Sequence, residues 1–201
     1  MFNDKHGLTR AAIAGTKPMT RRFVPDKWQN TLTWIFEDCN FDYSKFWQHP
    51  TVQLITNEQA PYKVGEVVAI AQSYKDAGYT KEWVEQHIKP NPKSKPTDPF
   101  EKRYPGWNNK MFVKAEFMPN FIQFTDIKVE RLQNISDEDC LKEGIKKYGF
   151  MTYHWGTIKS LYEKSYRTPR EAFSFLIDKV SGRGTWESNP WVFAYTFEKV
   201  K

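Results

Sequence analysis

Cysteine is scarce in this chain: two residues in 201, Cys39 and Cys140, far apart, with no CxxC and no histidine at ligand spacing beside them. That argues against a disulfide framework and a zinc site, and the pair reads as two unlinked thiols suited to a reducing cytoplasm. The four histidines, His6, His49, His87 and His154, share no ligand spacing either, so no metal is expected. The chain lacks a GxSxG elbow, a P-loop and a GxGxxG ahead of a helix, which removes the common hydrolase, kinase and dinucleotide signatures and leaves no cofactor to expect. No apolar run approaches the ~20 residues of a membrane span. The opening MFNDKHGLTRAAIAG has no apolar core of the signal-peptide kind. A soluble cytoplasmic protein without a membrane partner is the expectation, and no internal repeat is visible.

What is present is aromatic and basic. Aromatic residues make up 16 % of the chain, eight of them tryptophan, which suits a compact β-rich fold better than a helical bundle. The formal net charge of +6 favours an anionic partner, nucleic acid being the commonest. A chain this long is read as one domain, 1–201, with insertions near 28–60 and 75–110, and it can bury a core without staples.

Periodicity places the elements. HGLTRAAIAG reads as a short helix with Leu8, Ala12 and Ile13 on one side and Gly15 as its stop. KPMTRRFV continues extended. The aromatic stretch after Trp28 predicts a strand near Thr31–Phe36 and a short helix near Tyr43–Ile55. Val67–Ile70 reads as a buried strand and TKEWVEQHIK as an amphipathic helix. Residues 89–105 carry five prolines and no period, so a loop or flap is predicted there. In FIQFTDIKVERL the apolar positions change register at Thr125–Asp126, which predicts a bulge or bend. Ser136 caps a helix that Gly144 stops. Thr168, Pro169 and Glu171 open another, with Ala172, Phe175, Leu176 and Val180 as its buried stripe. The closing NPWVFAYTFEKV alternates Trp191, Phe193, Tyr195 and Phe197 as a half-buried last strand. Strands interrupted by short helices suit an α+β fold around a small barrel.

Two features carry chemistry. GTKPMTRR puts Lys17, Arg21 and Arg22 within six residues. They read as a phosphate-contact patch, or as an exposed strand edge kept soluble by charge. For catalysis, Lys17 would have to act as a base on the Thr20 hydroxyl, with its pKa lowered by burial or by neighbouring cations. Residues three apart on a regular strand point to opposite faces, so the pair converges only if the backbone departs from regular β, for which Pro18 is suited. Glu143 lies one residue before the helix-stopping Gly144, where a carboxylate opposes the helix dipole. It reads either as a solvated glutamate or as a carboxylate held there for chemistry.

Taken in order, AGTKPMTRR, PYKVGEVVAI, MPNFIQFTDIKVERLQNISDEDCLKEGI and WESNPWVFAYTFE resemble the ASCH domain family, especially its phage and prophage-type members. The likeness covers most of the chain, and VERLQNISDEDCLKEGI is its most specific block. It implies a small PUA-like β-barrel with flanking short helices and inserted loops, and a fold associated with RNA and modified-nucleobase recognition. Some small bacterial members remove the acetyl group from N4-acetylcytidine, with a catalytic lysine and threonine in a G-x-K-x-x-T motif that Lys17 and Thr20 match, and a glutamate that aligns with Glu143. The chain departs from the family at Pro18, where a threonine is usual, at Ala71 and Gln72, where Arg-Glu is common, and at Asn120, where an arginine follows Met-Pro. The leading expectation is an RNA- or modified-nucleoside-binding module with a basic cleft of Arg21, Arg22 and Asn120 around Lys17, Thr20 and Glu143. The alternatives are an amidohydrolase acting on N4-acetylcytidine-type nucleosides, with Thr20 as nucleophile, and an interaction module whose binding arm is the proline-rich segment.

Overall fold

The computed structural model describes residues 2, 4, 6–150, 152–156 and 165–200. It is mixed, 43 % helix and 19 % strand, around a curled antiparallel half-barrel, so the α+β expectation stands at that level. The chain forms two compact units. The smaller consists chiefly of Val67–Ile122; the larger is built from the segment ending at Glu66 and from Gln123–Glu198.

In the larger unit, helix α1 (Leu8–Ile13) leads into strand β1 (Met19–Phe23), followed by α2 (Asp26–Asp38), α3 (Tyr43–Gln48) and α4 (Pro50–Gln59). Strand β2 (Val67–Ala69) and helices α5 (Lys81–His87) and α6 (Phe100–Arg103) belong to the smaller unit. The long β3 (Phe121–Arg131) returns the chain to the larger unit, where α7 (Asp137–Lys142), the β4–β5 hairpin (Lys146–Tyr148, Thr152–His154), α8 (Pro169–Ser181), α9 (Thr185–Ser188) and β6 (Trp191–Lys199) follow. The main sheet has the order β1-β6-β3-β2.

The bend predicted in β3 is a change of hydrogen-bonding parity. Phe121 C=O accepts from Val200 N–H beyond the end of β6, while Leu132 N–H donates to Pro190 C=O just before its start. Groups facing one neighbour should recur every second residue. An odd residue at one end and an even one at the other therefore require one extra residue in between. Phe124 is bonded on the side away from β6, to Gly65 and Glu66, whereas farther along it is Val129 and Arg131 that turn that way, to Trp47 and Tyr43. The extra residue thus lies between Phe124 and Val129, a bulge that curls the sheet.

Several expectations are corrected. Thr31–Phe36 is helical, within α2: Leu32 and Ile35 are buried at helical spacing, and Phe36 packs edge-on against Trp191 at 5.4 Å. Burial of one helical face outweighs the β preference of threonine and aromatics. β6 is not half-buried, since Trp191 to Tyr195 are buried without a break. As a central strand, with β1 and β3 on its two edges, it is covered on both faces. On α8 the buried set is Ala172, Phe173 and Leu176, while Phe175 and Val180 are exposed. Val67 is likewise exposed at its edge strand. Segment 89–105 is no featureless loop. Asn91 N–H donates to Arg103 C=O at 2.7 Å, α6 lies within it, and Tyr104 enters the smaller unit's core of Tyr74, Val84, Trp107 and Met118.

Candidate functional site

Helix α1 ends where Gly15 takes a left-handed φ of 71°, and Thr16 and Lys17 N–H both fold back onto Ala11 C=O, at 3.0 and 3.2 Å. Lys17 is therefore not a strand residue, and β1 starts only at Met19. That removes the alternation objection for the lysine. Its side chain doubles back, so that Nζ donates to Met19 C=O at 2.8 Å, the carbonyl of the peptide bond that joins Met19 to Thr20.

The carboxylate partner arrives from α7. Ser136 Oγ accepts from Asp139 N–H at 3.0 Å, three acids occupy the first turn, and Glu143 is the C-terminal cap. Gly144 then takes φ +105°, and a Cβ there would stand 3.4 Å from Leu8 and 3.6 Å from Lys17 Cδ, so glycine serves both the turn and the close approach of the lysine. Lys17 Nζ donates to Glu143 C=O at 2.9 Å and to its carboxylate Oε2. One ammonium thereby satisfies an orphan carbonyl at the helix end and offsets the misplaced carboxylate.

Arg21 completes the cluster. Its Nη1 donates to Glu143 Oε1 at 2.9 Å, and its Nη2 and Nε donate to Glu130 Oε1 at 2.7 and 3.1 Å. Asp139 lies 3.8 Å from Nη2. Lys17, Arg21, Glu130 and Glu143 are all buried, 2–8 % exposed, and two cations face two carboxylates. Burial pushes the Lys17 amine below its ordinary value, although Glu143 pulls the other way. For Glu143 burial acts upward, yet Lys17 and Arg21 hold the carboxyl below the usual carboxylate range. Burial works against the Arg21 charge, and Glu143 and Glu130 more than restore it. The sequence does not single out Glu130: in IKVERL it is one charge among three, with nothing local to mark it as buried.

The remaining candidates fall elsewhere. Thr20 pairs with Tyr195 and Arg21 with Ala194, and directly paired residues share a face, so Thr20 lies on the opposite face of the sheet from Arg21. Thr20 is buried, and among the described residues its hydroxyl makes no hydrogen bond to Lys17 or Glu143. Arg22, paired with Phe193, is partly exposed. Asn120 belongs to the smaller unit, where its Nδ2 donates to Gln72 Oε1 at 2.9 Å. Asn120 and Gln72 thus bond amide to amide, a bond separate from those of the Lys17–Arg21 cluster.

Burial pushes the Cys140 thiol up to about 12, the state of a core cysteine rather than a nucleophile. Among the described residues no group of His, Cys, Asp and Glu is arranged to hold a metal ion, and no helix is long and apolar enough to cross a membrane. No protein-family model, curated protein or solved structure matches the chain, so its site rests on its own geometry.

Proposed function

We propose that this protein is an ASCH-type module that binds RNA or a modified nucleoside beside β1, with the Lys17–Arg21–Glu130–Glu143 cluster fixing the strand and Arg22 making the phosphate contact. The observation that supports this reading is the division among the three cations of the motif. Lys17 and Arg21 are buried and matched by carboxylates, which makes the cluster formally neutral; Arg22 is the one of the three that reaches solvent. Phosphate attraction needs charge that an anion can approach, and a desolvated, paired cation does not supply it. The test is titration of short single-stranded RNA and of N4-acetylcytidine into the wild type and Arg22→Ala. RNA affinity should fall in the variant and nucleoside affinity should not. Equal RNA affinity in the two proteins would refute the assignment.

Acyl hydrolysis ranks second. The Lys17 amine, bonded to the Met19 carbonyl, is one peptide bond from Thr20, which favours it. Lys17, however, donates to three acceptors and so carries its proton, and Thr20 lies on the far face of the strand. Chromatography of N4-acetylcytidine after incubation decides the matter: release of cytidine that is lost in Thr20→Ala would bring this reading to the front.

A further inference from the structure

A second site lies in the larger unit, on the edge of the sheet rather than beside β1. Trp47, Val52, Gln53, Thr56, Asn57, Ile127, Lys128 and Val129 line a groove of 330 Å³ between α4 and residues 127–129 of β3. That volume is at the small end of the range for ligand pockets, and the lining, half apolar and half polar, is more polar than most such pockets.

Each wall has a chemical character set by the chain. Val52, Gln53, Thr56 and Asn57 lie one helical turn apart on a single face of α4, with Val52 buried as floor. Trp47 is held in place by its indole N–H, which donates to Val129 C=O at 2.7 Å, and by Tyr43 at 5.3 Å, while 38 % of it stays exposed. A flat, immobilised indole of this kind is a stacking surface. Among the described residues the Asn57 carboxamide makes no hydrogen bond, and the Gln53 carboxamide makes a single long one of 3.5 Å, to Trp47 C=O. Beyond the bulge Val129 and Arg131 turn away from β6, and Ile127 and Val129 line the groove from the strand side. At the rim the exposed Lys128 ammonium stands 5.9 Å over the Trp47 ring, with Asp126 3.8 Å away as its exposed counter-charge.

We propose that this groove binds a small heteroaromatic anion: a flat ring for Trp47, a donor–acceptor edge for the Asn57 and Gln53 amides, and one negative group for Lys128. The ring takes the place of the lysine over the indole, and the ammonium swings out to the anion. A heteroaromatic carboxylate and a nucleoside monophosphate share this chemistry. The site is separate from the buried cluster and does not depend on the function assigned to it.

Calorimetric titration of the full chain with orotate, uridine monophosphate, uracil and benzoate tests it, since uracil has the edge without the charge and benzoate the charge without the edge. Orotate or the monophosphate should bind with a Kd below about 1 mM and at least about tenfold more tightly than uracil or benzoate. Which of the two is tighter identifies the source of the anion. Lys128→Gln should reduce binding to the uracil level and Asn57→Leu to the benzoate level, both being exposed positions that leave the fold intact. Binding of neither anion, binding of benzoate as tight as orotate, or binding insensitive to both substitutions would overturn the proposal.

Discussion

Replacing Glu143 with glutamine removes one charge from the interior and leaves the shape almost unchanged. Lys17 then keeps two carbonyl acceptors, and Arg21 keeps Glu130, with Asp139 3.8 Å away. Both cations stay desolvated, because the groups that bury them are untouched. Removing one partner of a buried ion pair costs about 3–5 kcal/mol. For a chain of this length that corresponds to a fall of roughly 6–20 °C in the thermal midpoint. Urea unfolding followed by tryptophan fluorescence measures it, with calorimetry as the second readout. The double variant Lys17→Met/Glu143→Leu removes both charges and leaves Arg21 balanced by Glu130, so it should recover a large part of the loss. If Glu143→Gln costs less than about 1 kcal/mol, the pair behaves like a surface ion pair and the buried-cluster reasoning is wrong.

The same carboxylate sets the acid limb of stability. Its folded value lies below the ordinary 4.5, so the unfolded chain binds the proton first; stability is fully present above that value and is lost as pH falls below it. Glu143→Gln should flatten this limb in a plot of unfolding free energy against pH. Lys17, lowered from 10.5, acts in the same direction at the other end of the scale: the folded chain gives up this proton first, so stability rises as pH climbs toward 10.5, and Lys17→Met should remove that rise. Gly144→Ala puts a side chain at φ +105° within 3.4 Å of Leu8, and should cost roughly 1–3 kcal/mol in the same urea assay. In a thiol titration of the native protein at pH 8, the partly exposed Cys39 should react and Cys140 should not, both reacting once the chain is unfolded.

What could be read in advance was local. Ser136 and Thr168 cap the helices they were expected to cap, because capping needs only a hydroxyl at the right place in one turn. The bulge of β3 showed in the register shift at Thr125–Asp126, since alternation records which face a residue serves. Glu143 is visible as an anomaly at a helix C-terminus, but its partner Lys17, 126 residues away, leaves no local signal. The bridge from Arg21 to Glu130 spans 109 residues and has no local signal. The misreadings share a cause. β6 and Thr31–Phe36 were judged by composition and period, and what decides them is which neighbours cover them, a property of the assembled sheet.

The proposal rests on Lys17 and Arg21 being buried against internal carboxylates, and on Arg22 being partly exposed where a phosphate could approach it. The most direct test is the salt dependence of single-stranded RNA binding between about 50 and 200 mM, since each phosphate contact contributes about −0.7 to the logarithmic slope. One or two contacts predict a loss of affinity of about three- to sevenfold over that range. A loss of about eighteenfold or more, the value for three contacts, would mean that all three cations face the strand, and would contradict the buried cluster.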